Sequence, residues 1–277
     1  MLIKKENTMS TINKLAALLI CLVILCGFVV SCTTEQPDNG SVGEQPDNGT
    51  DDDINFPTDE YVATVTVTFN SDDAKMKDAI GDIGETVYTV TADGANLQIV
   101  SNATVGDILL DEIYTYLENT LYKKTTLGVG DKSASSYEKA AMSEANRNDL
   151  LDMIGPGASI EKNDFLKVDI SKSGNYTTYT CTKINSTSAD SLADVFESKF
   201  AGTGATVKLD GASYTIVLLG DANSSFDLSC NFIVTMDGVD YSVTMNMSCE
   251  YDYKSVSISA PENAEKYVDV SLSDIIG

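Results

Sequence analysis

Six cysteines carry most of the chemistry available to this 277-residue sequence, and one stands in a recognisable setting. Val29-Val30-Ser31-Cys32 has the form of a bacterial lipobox, aliphatic then small residues before a Cys whose thiol is diacylated. Lys4, Lys5 and Lys14 precede an uncharged apolar run from Leu15 to Val30, the n-region and h-region of a secretory signal. Cys21 and Cys26 lie inside that run, and Leu25 stands before Cys26 where processing needs a small residue. The alternative is an uncleaved transmembrane anchor. The run is short for one, and polar sequence follows Cys32 at once. Two acyl chains of the palmitate kind, each buried CH₂ contributing about 0.8 kcal/mol, suffice for stable anchoring. Membrane attachment through lipid on Cys32 is the expectation, with localisation on the exported face of the cell envelope.

Elsewhere the composition excludes more than it offers. There is no His and no Trp, and Arg147 is the sole arginine. Without His there is no Ser-His-Asp or Cys-His nucleophile and no HExxH zinc site. A net charge of −24 excludes a nucleic-acid partner, because Lys and Arg must replace the counterions of the phosphate backbone. Loss of residues 1–31 removes three Lys and Glu6, which deepens the charge to −26. Ser136-x-x-Lys139 matches the nucleophile motif of penicillin-recognising enzymes, but only Lys124-Thr125-Thr126 stands where a KTG box is needed. Chance accounts for it. Gly128-x-Gly130, Gly155-Pro-Gly157 and Gly202-x-Gly204 lack the Lys-Ser/Thr of a phosphate loop. No catalytic residue, cofactor or metal site is expected. Cys181, Cys230 and Cys249 fall on apolar positions, as small buried hydrophobes or with Cys181 in a disulfide.

The remaining candidate is a surface that strands must build. Asp237-Gly238 suits a two-residue type I′ turn. Pairing Met236 with Val239 gathers Phe226, Leu228, Phe232, Val234, Met236, Tyr241, Val243, Met245 and Met247 on one face. Flexible thioethers and aromatics suit an adaptable apolar ligand such as an acyl chain; they equally suit an ordinary core.

Other segments carry the same period. Tyr61, Ala63, Val65, Val67 and Phe69 alternate with Thr64, Thr66 and Thr68, a half-buried strand. Asp93-Gly94 predicts a hairpin with Tyr88 opposite Ile99 and Val90 opposite Leu97. Asp210-Gly211 predicts another, with Val207 opposite Tyr214. A fourth runs across residues 172–175, Leu166 facing Cys181 and Val168 facing Tyr179. Residues 104–124 fit a helix with a Thr104-x-x-Asp107 cap, or strands about Glu118-Asn119; the Thr and Tyr content favours the hairpin. Apolar spacing predicts helices over Ser136–Ile154 and Ala189–Phe200.

Three regions follow: a signal peptide at 1–31, Cys32 with an acidic tether at 32–60, and a single α+β domain at 61–277. The tether repeats Glu35-Gln-Pro-Asp-Asn-Gly40 at Glu44–Gly49 and runs into Asp51-Asp52-Asp53. One sign of charge and few apolar residues predict a disordered spacer, and the Asp spacing matches no EF-hand loop. The domain should be a long curved antiparallel β-sheet with two or three helices on its apolar concave face.

The lipobox, the tether and a closing pair of long strands precede Val256-Ser-Ile258-Ser-Ala-Pro261-Glu-Asn-Ala264. With Ile113-Tyr-Thr-Tyr-Leu-Glu-Asn-Thr-Leu-Tyr-Lys-Lys124, this resembles small envelope lipoproteins of the LolA/LppX-like superfamily. The resemblance spans about residues 61–267. It implies a half-open barrel around a lipid-accepting cavity closed by helices, and no catalytic residues. The sequence departs from it in having no Trp and a long insert at 136–154. Two non-enzymatic functions are therefore expected: a carrier of a lipid or other apolar ligand, or a structural or adhesive module contacting a protein or glycan through its polar sheet face.

Overall fold

The structure is a computed structural model that describes residues 60–74, 76–77, 85–105, 107–143, 162–199 and 204–276. Alternating segments pair into an open sheet in which twelve strands are described. They are β1 (Glu60–Asn70), β2 (Thr86–Asp93), β3 (Leu97–Val105), β4 (Ile108–Leu117), β5 (Thr120–Val129) and β6 (Lys132–Ala141), followed by β7 (Phe165–Ser173), β8 (Tyr176–Ile184), β9 (Thr206–Leu219), β10 (Ala222–Met236), β11 (Val239–Tyr253) and β12 (Val268–Asp269). The order is β12-β6-β5-β4-β3-β2-β1-β11-β10-β9-β8-β7. All neighbours are antiparallel except β12 beside β6. The early strand β1 therefore lies centrally, between β2 and the late strand β11. Helix α1 (Ser186–Lys199) joins β8 to β9, and a short helix α2 (Leu272–Ile276) ends the described chain.

Helix α1 starts where Asn185 supplies a side-chain cap. Its Oδ1 accepts from the Ser188 amide at 2.9 Å, satisfying an amide that the helix leaves without an internal partner. Asn185 Nδ2 also donates to the Asp164 carbonyl at 2.8 Å, which ties the cap to the entry of β7. Leu192, Ala193 and Phe196 then form the buried stripe of the helix. Phe196 meets Phe232 with ring centroids 4.2 Å apart. The sequence expectation of a helix from Ala189 is met, with a start three residues earlier at Ser186.

The core lies on one face of the sheet. Val65, Val67 and Phe69 of β1 adjoin Cys249, Met247 and Met245 of β11, which adjoin Phe226, Leu228 and Cys230 of β10. All are buried. The last hairpin has the expected register, Met236 facing Val239 and Cys230 facing Met245. Asp237 and Gly238 have φ of 52° and 74°, the two left-handed residues of a type I′ turn. Glu118 and Asn119, at 50° and 61°, close the β4–β5 hairpin in the same way, which settles residues 108–129 as strands.

Four expectations are corrected. Residues 136–141 are not helical; they belong to β6, paired along its length with β5, and 144–154 lie outside the described residues. Around Asp93-Gly94 the register moves by two, so Val90 faces Ile99 and Ala92 faces Leu97. The cause is a wider loop: Asp93 Oδ1 accepts from the amide of Asn96 at 2.8 Å and from its Nδ2 at 2.9 Å. The hairpin after β7 is tighter than expected. Its loop is Gly174-Asn175, so Val168 faces Cys181 and Ile170 faces Tyr179. Asp210-Gly211 is no turn at all. Strand β9 runs through it, and the ladder to β10 slips there in a β-bulge, Asn231 facing Gly211 and Phe232 facing Leu209.

Candidate functional site

The nine apolar residues expected to form a ligand face do come together on β10 and β11, with Leu228 opposite Met247, Phe232 opposite Val243 and Val234 opposite Tyr241. Apart from the half-buried Tyr241, none is more than 5% exposed. A cavity wide enough for an acyl chain would leave its walls exposed within; these side chains are covered. Phe196 of α1 lies on Phe232, and Tyr214 meets Phe226 edge-on at 5.9 Å. Here this face is a packed core. Cys181, Cys230 and Cys249 are buried within it, and burial pushes the Cys230 thiol up to about 12. No cluster of metal-ligating side chains occurs among the described residues. Cys32 lies outside them.

The same face changes character along β4 and β5. Glu112 is buried there, in register with Tyr114 and Tyr116. Its carboxylate lies 3.3 Å from Lys123 Nζ and accepts from Thr125 Oγ1 at 3.3 Å and the Tyr114 hydroxyl at 3.4 Å. Lys123 also donates to the Ile275 carbonyl of α2 at 3.4 Å and lies 5.1 Å from the Tyr114 ring centroid. Burial, then the charge of Glu112, pushes the Tyr114 hydroxyl up to about 12. For Lys123, burial favours the neutral amine, but Tyr114 and Glu112 outweigh it and the pKa rises. Both donors stay protonated at neutral pH, so neither is a base. The cluster is a satisfied ion pair between buried Glu112 and half-buried Lys123 that ties α2 to the sheet. Sequence reasoning missed it, although a carboxylate at the inward parity of Ile108, Leu110, Tyr114 and Tyr116 was a visible signal. Beyond Glu112, Ile108 and Leu110 with Leu127 and Val129 continue the core face as partly open apolar surface.

The opposite face holds a cleft of about 260 Å³ that sequence reasoning did not find. Two rows of side chains cross four adjacent strands. Thr66, Ser248, Asp227 and Thr215 form one; Thr68, Asn246, Ser229 and Ser213 form the other. Each residue is the outward neighbour of a core residue, so the packing behind the sheet fixes its direction. Ser229 Oγ donates to Asn246 Oδ1 at 2.8 Å; just beyond, Thr244 Oγ1 donates to Asn231 Oδ1 at 2.8 Å. Gly211, at the β9 bulge, faces Asn231 at this end of the cleft. The lining offers hydroxyls and an amide that both donate and accept, and one carboxylate, Asp227, beside the core residues Leu228 and Met247. That is hydrogen-bonding chemistry. The lining holds no thiol or amine to act as a nucleophile, and a single carboxylate is a poor cage for a hard cation.

No protein-family model matches the chain, and no curated protein does. Among solved structures it is similar to the crystal structure of an acyl-CoA thioesterase II, TesB2, from Mycobacterium marinum. The identity is 10% and the TM-score 0.12, over 72% of this chain and 83% of that one. A likeness so slight carries no argument about fold or activity.

Proposed function

We propose that this chain is a non-enzymatic lipoprotein module of the cell envelope that recognises a polyhydroxylated ligand, a glycan, through the polar cleft on β1, β11, β10 and β9. The observation that carries this reading is the division of the sheet: a packed core on one face, and on the other a cleft of fixed hydroxyl, amide and carboxylate side chains. Sugars offer hydroxyls that both donate and accept, and Ser, Thr, Asn and Asp on rigid strands pair with them in both senses. The lipobox at Cys32 and the acidic tether support display away from a membrane. Detergent-solubilised full-length chain applied to an array of neutral oligosaccharides tests the reading. Binding that Asp227→Asn weakens at least about tenfold supports it, since a hydrogen bond to a charged acceptor contributes about 1.5–3 kcal/mol. Absence of any signal above background would falsify it.

A second reading, carriage of a lipid or other apolar ligand, is favoured by the open apolar stretch around Leu127 and Val129. It goes with the LolA/LppX resemblance and with a half-open barrel whose helices sit on a concave face, which the open sheet and the contact of α1 with β10 support. A ligand reaching Phe232 would have to displace Phe196 of α1. Native mass spectrometry of the full chain separates the two readings: copurifying lipid favours carriage, and clean apo protein with array binding favours the glycan module.

A further inference from the structure

The two edges of the sheet are finished differently. At one, β12 pairs with β6 through Val268 and Asp269, and the Val270 amide donates to the Lys139 carbonyl at 2.9 Å. Tyr267 packs edge-on against both Tyr122 and Tyr137 at 5.3 Å. At the other, β7 pairs with β8 alone among the described residues. Leu166 and Ile170 of β7 are 64% and 61% exposed, and Val168 is 37% exposed. An exposed apolar edge strand is a template for another strand.

Sequence and register say which one. Around Val168 the strand reads Leu166-Lys167-Val168-Asp169-Ile170, chemically the same in both directions except that the two charges exchange sign. If a second β7 lies antiparallel with Val168 opposite the partner's Val168, Leu166 meets the partner's Ile170 and Lys167 meets the partner's Asp169. Every position finds a matching chemistry. The backbone agrees with this register. Ser173 and Tyr176 flank a two-residue loop and so form a hydrogen-bonded pair, and pairs alternate along the ladder. Val168 then falls in a non-hydrogen-bonded pair with Cys181, and Ile170 in one with Tyr179. By the same alternation Val168 and Ile170 turn their N–H and C=O groups outward, as this two-fold pairing requires; the ladder is interrupted at Leu166, where Lys183 has a φ of 62°. Lys167 and the partner's Asp169 would occupy the closer, non-hydrogen-bonded pairs, with Cα atoms about 4.5 Å apart. Val168 and Ile170 lie on the Cys181 side of the sheet, so the partner's copies would extend one apolar strip across the junction.

We infer that β7 is a self-complementary edge, and that two copies of this chain join through antiparallel β7–β7 pairing about a two-fold axis at Val168. The interface is isologous and closed.

Cross-linking and charge exchange on the full-length chain in detergent test it. Hydrogen-bonded partners sit with Cα atoms about 5.5 Å apart, within the range of a disulfide. Val168→Cys on a Cys181→Ala background, which removes the free thiol directly opposite, should therefore give a covalent dimer on mild oxidation, while Cys181→Ala alone and Val239→Cys, an exposed control on the distant β10–β11 hairpin, do not. Lys167→Asp and Asp169→Lys each oppose like charges twice per dimer, and should weaken dimerisation about tenfold by sedimentation. Combining the two exchanges restores opposite pairs and should restore the dimer, which also shows that the variants fold. A parent chain that sediments as a monomer, cross-linking at position 239 as readily as at 168, or single exchanges without effect would each overturn the inference.

Discussion

Strands β10 and β11 present two surfaces made from alternate residues of the same 27-residue stretch, Phe226–Asp252. One is Phe226, Leu228, Cys230, Met245 and Met247, buried and continuous with β1. The other is Asp227, Ser229, Asn231, Asn246 and Ser248, open to solvent and shaped into a cleft. Backbone, twist and pairing partners are shared, so the difference between core and candidate site comes from side-chain chemistry alone. It follows that the packed face can hold the strands rigid while the polar face remains free to specialise. The two faces should answer very differently to the same insult.

The largest contrast comes from placing one carboxylate on each face. Met245 is wholly buried between Phe69 and Cys230. Met245→Asp would bury a charge with no cation near it in the ladder, and should abolish cooperative unfolding or cost more than about 4 kcal/mol. Thr244→Asp, one residue away on the outward face, should cost under about 1 kcal/mol. Urea midpoints measured side by side decide it, and equal losses would show that the outward face is not merely displayed by the core.

An effect of intermediate size is expected from alkali, and it belongs to the buried face. The Cys230 thiol rises from its ordinary 9.0 and the Tyr114 hydroxyl from 10.0, each to about 12. The folded state therefore keeps protons that the unfolded chain gives up between about pH 9 and 12. Stability from these groups is complete below pH 9 and falls as pH climbs through that window. Lys123, also raised, works in the same direction above 10.5. The urea midpoint should drop from pH 8.5 to pH 11, and the drop should shrink in Cys230→Ala and in Tyr114→Phe. A midpoint that stays level across the window would show that these groups are not held protonated by burial.

The sequence revealed these elements unevenly, for physical reasons. The β10–β11 register was legible because Asp237-Gly238 fixes a two-residue loop and a slip would expose every core residue. At Asp93 the same dipeptide misled, because the carboxylate is drawn into bonds with Asn96 and widens the loop. At Asp210 the alternation on either side belongs to one bulged strand rather than two. Strand β6 carries a helical signal in the sequence, since Tyr137, Ala140 and Ala141 satisfy helical spacing, and Ala, Glu and Lys favour helices locally. Pairing with β5 across Gly130-Asp131 overrides that preference. The apolar face was legible residue by residue because it depends on period alone. The cleft was not: its two rows need β1 beside β11 and β10 beside β9, and the first adjacency joins residues nearly two hundred positions apart.

The smallest effect tests whether the cleft can be altered without disturbing the core. Ser229 and Asn246 face each other across β10 and β11 and share a 2.8 Å hydrogen bond. Both were in water's reach before folding and remain partly so, so the bond replaces bonds to water. Ser229→Ala and Asn246→Ala should each cost about 0.5–1.5 kcal/mol. Their double-mutant cycle should give a coupling of about 0.2–1 kcal/mol, as for other cross-strand pairs. A coupling several times larger would mean that the polar rows help to hold the strands together. Loss of glycan binding in these variants could then no longer be separated from loss of structure. A small coupling leaves the two faces energetically independent, and assigns any loss of recognition in the same proteins to the cleft itself.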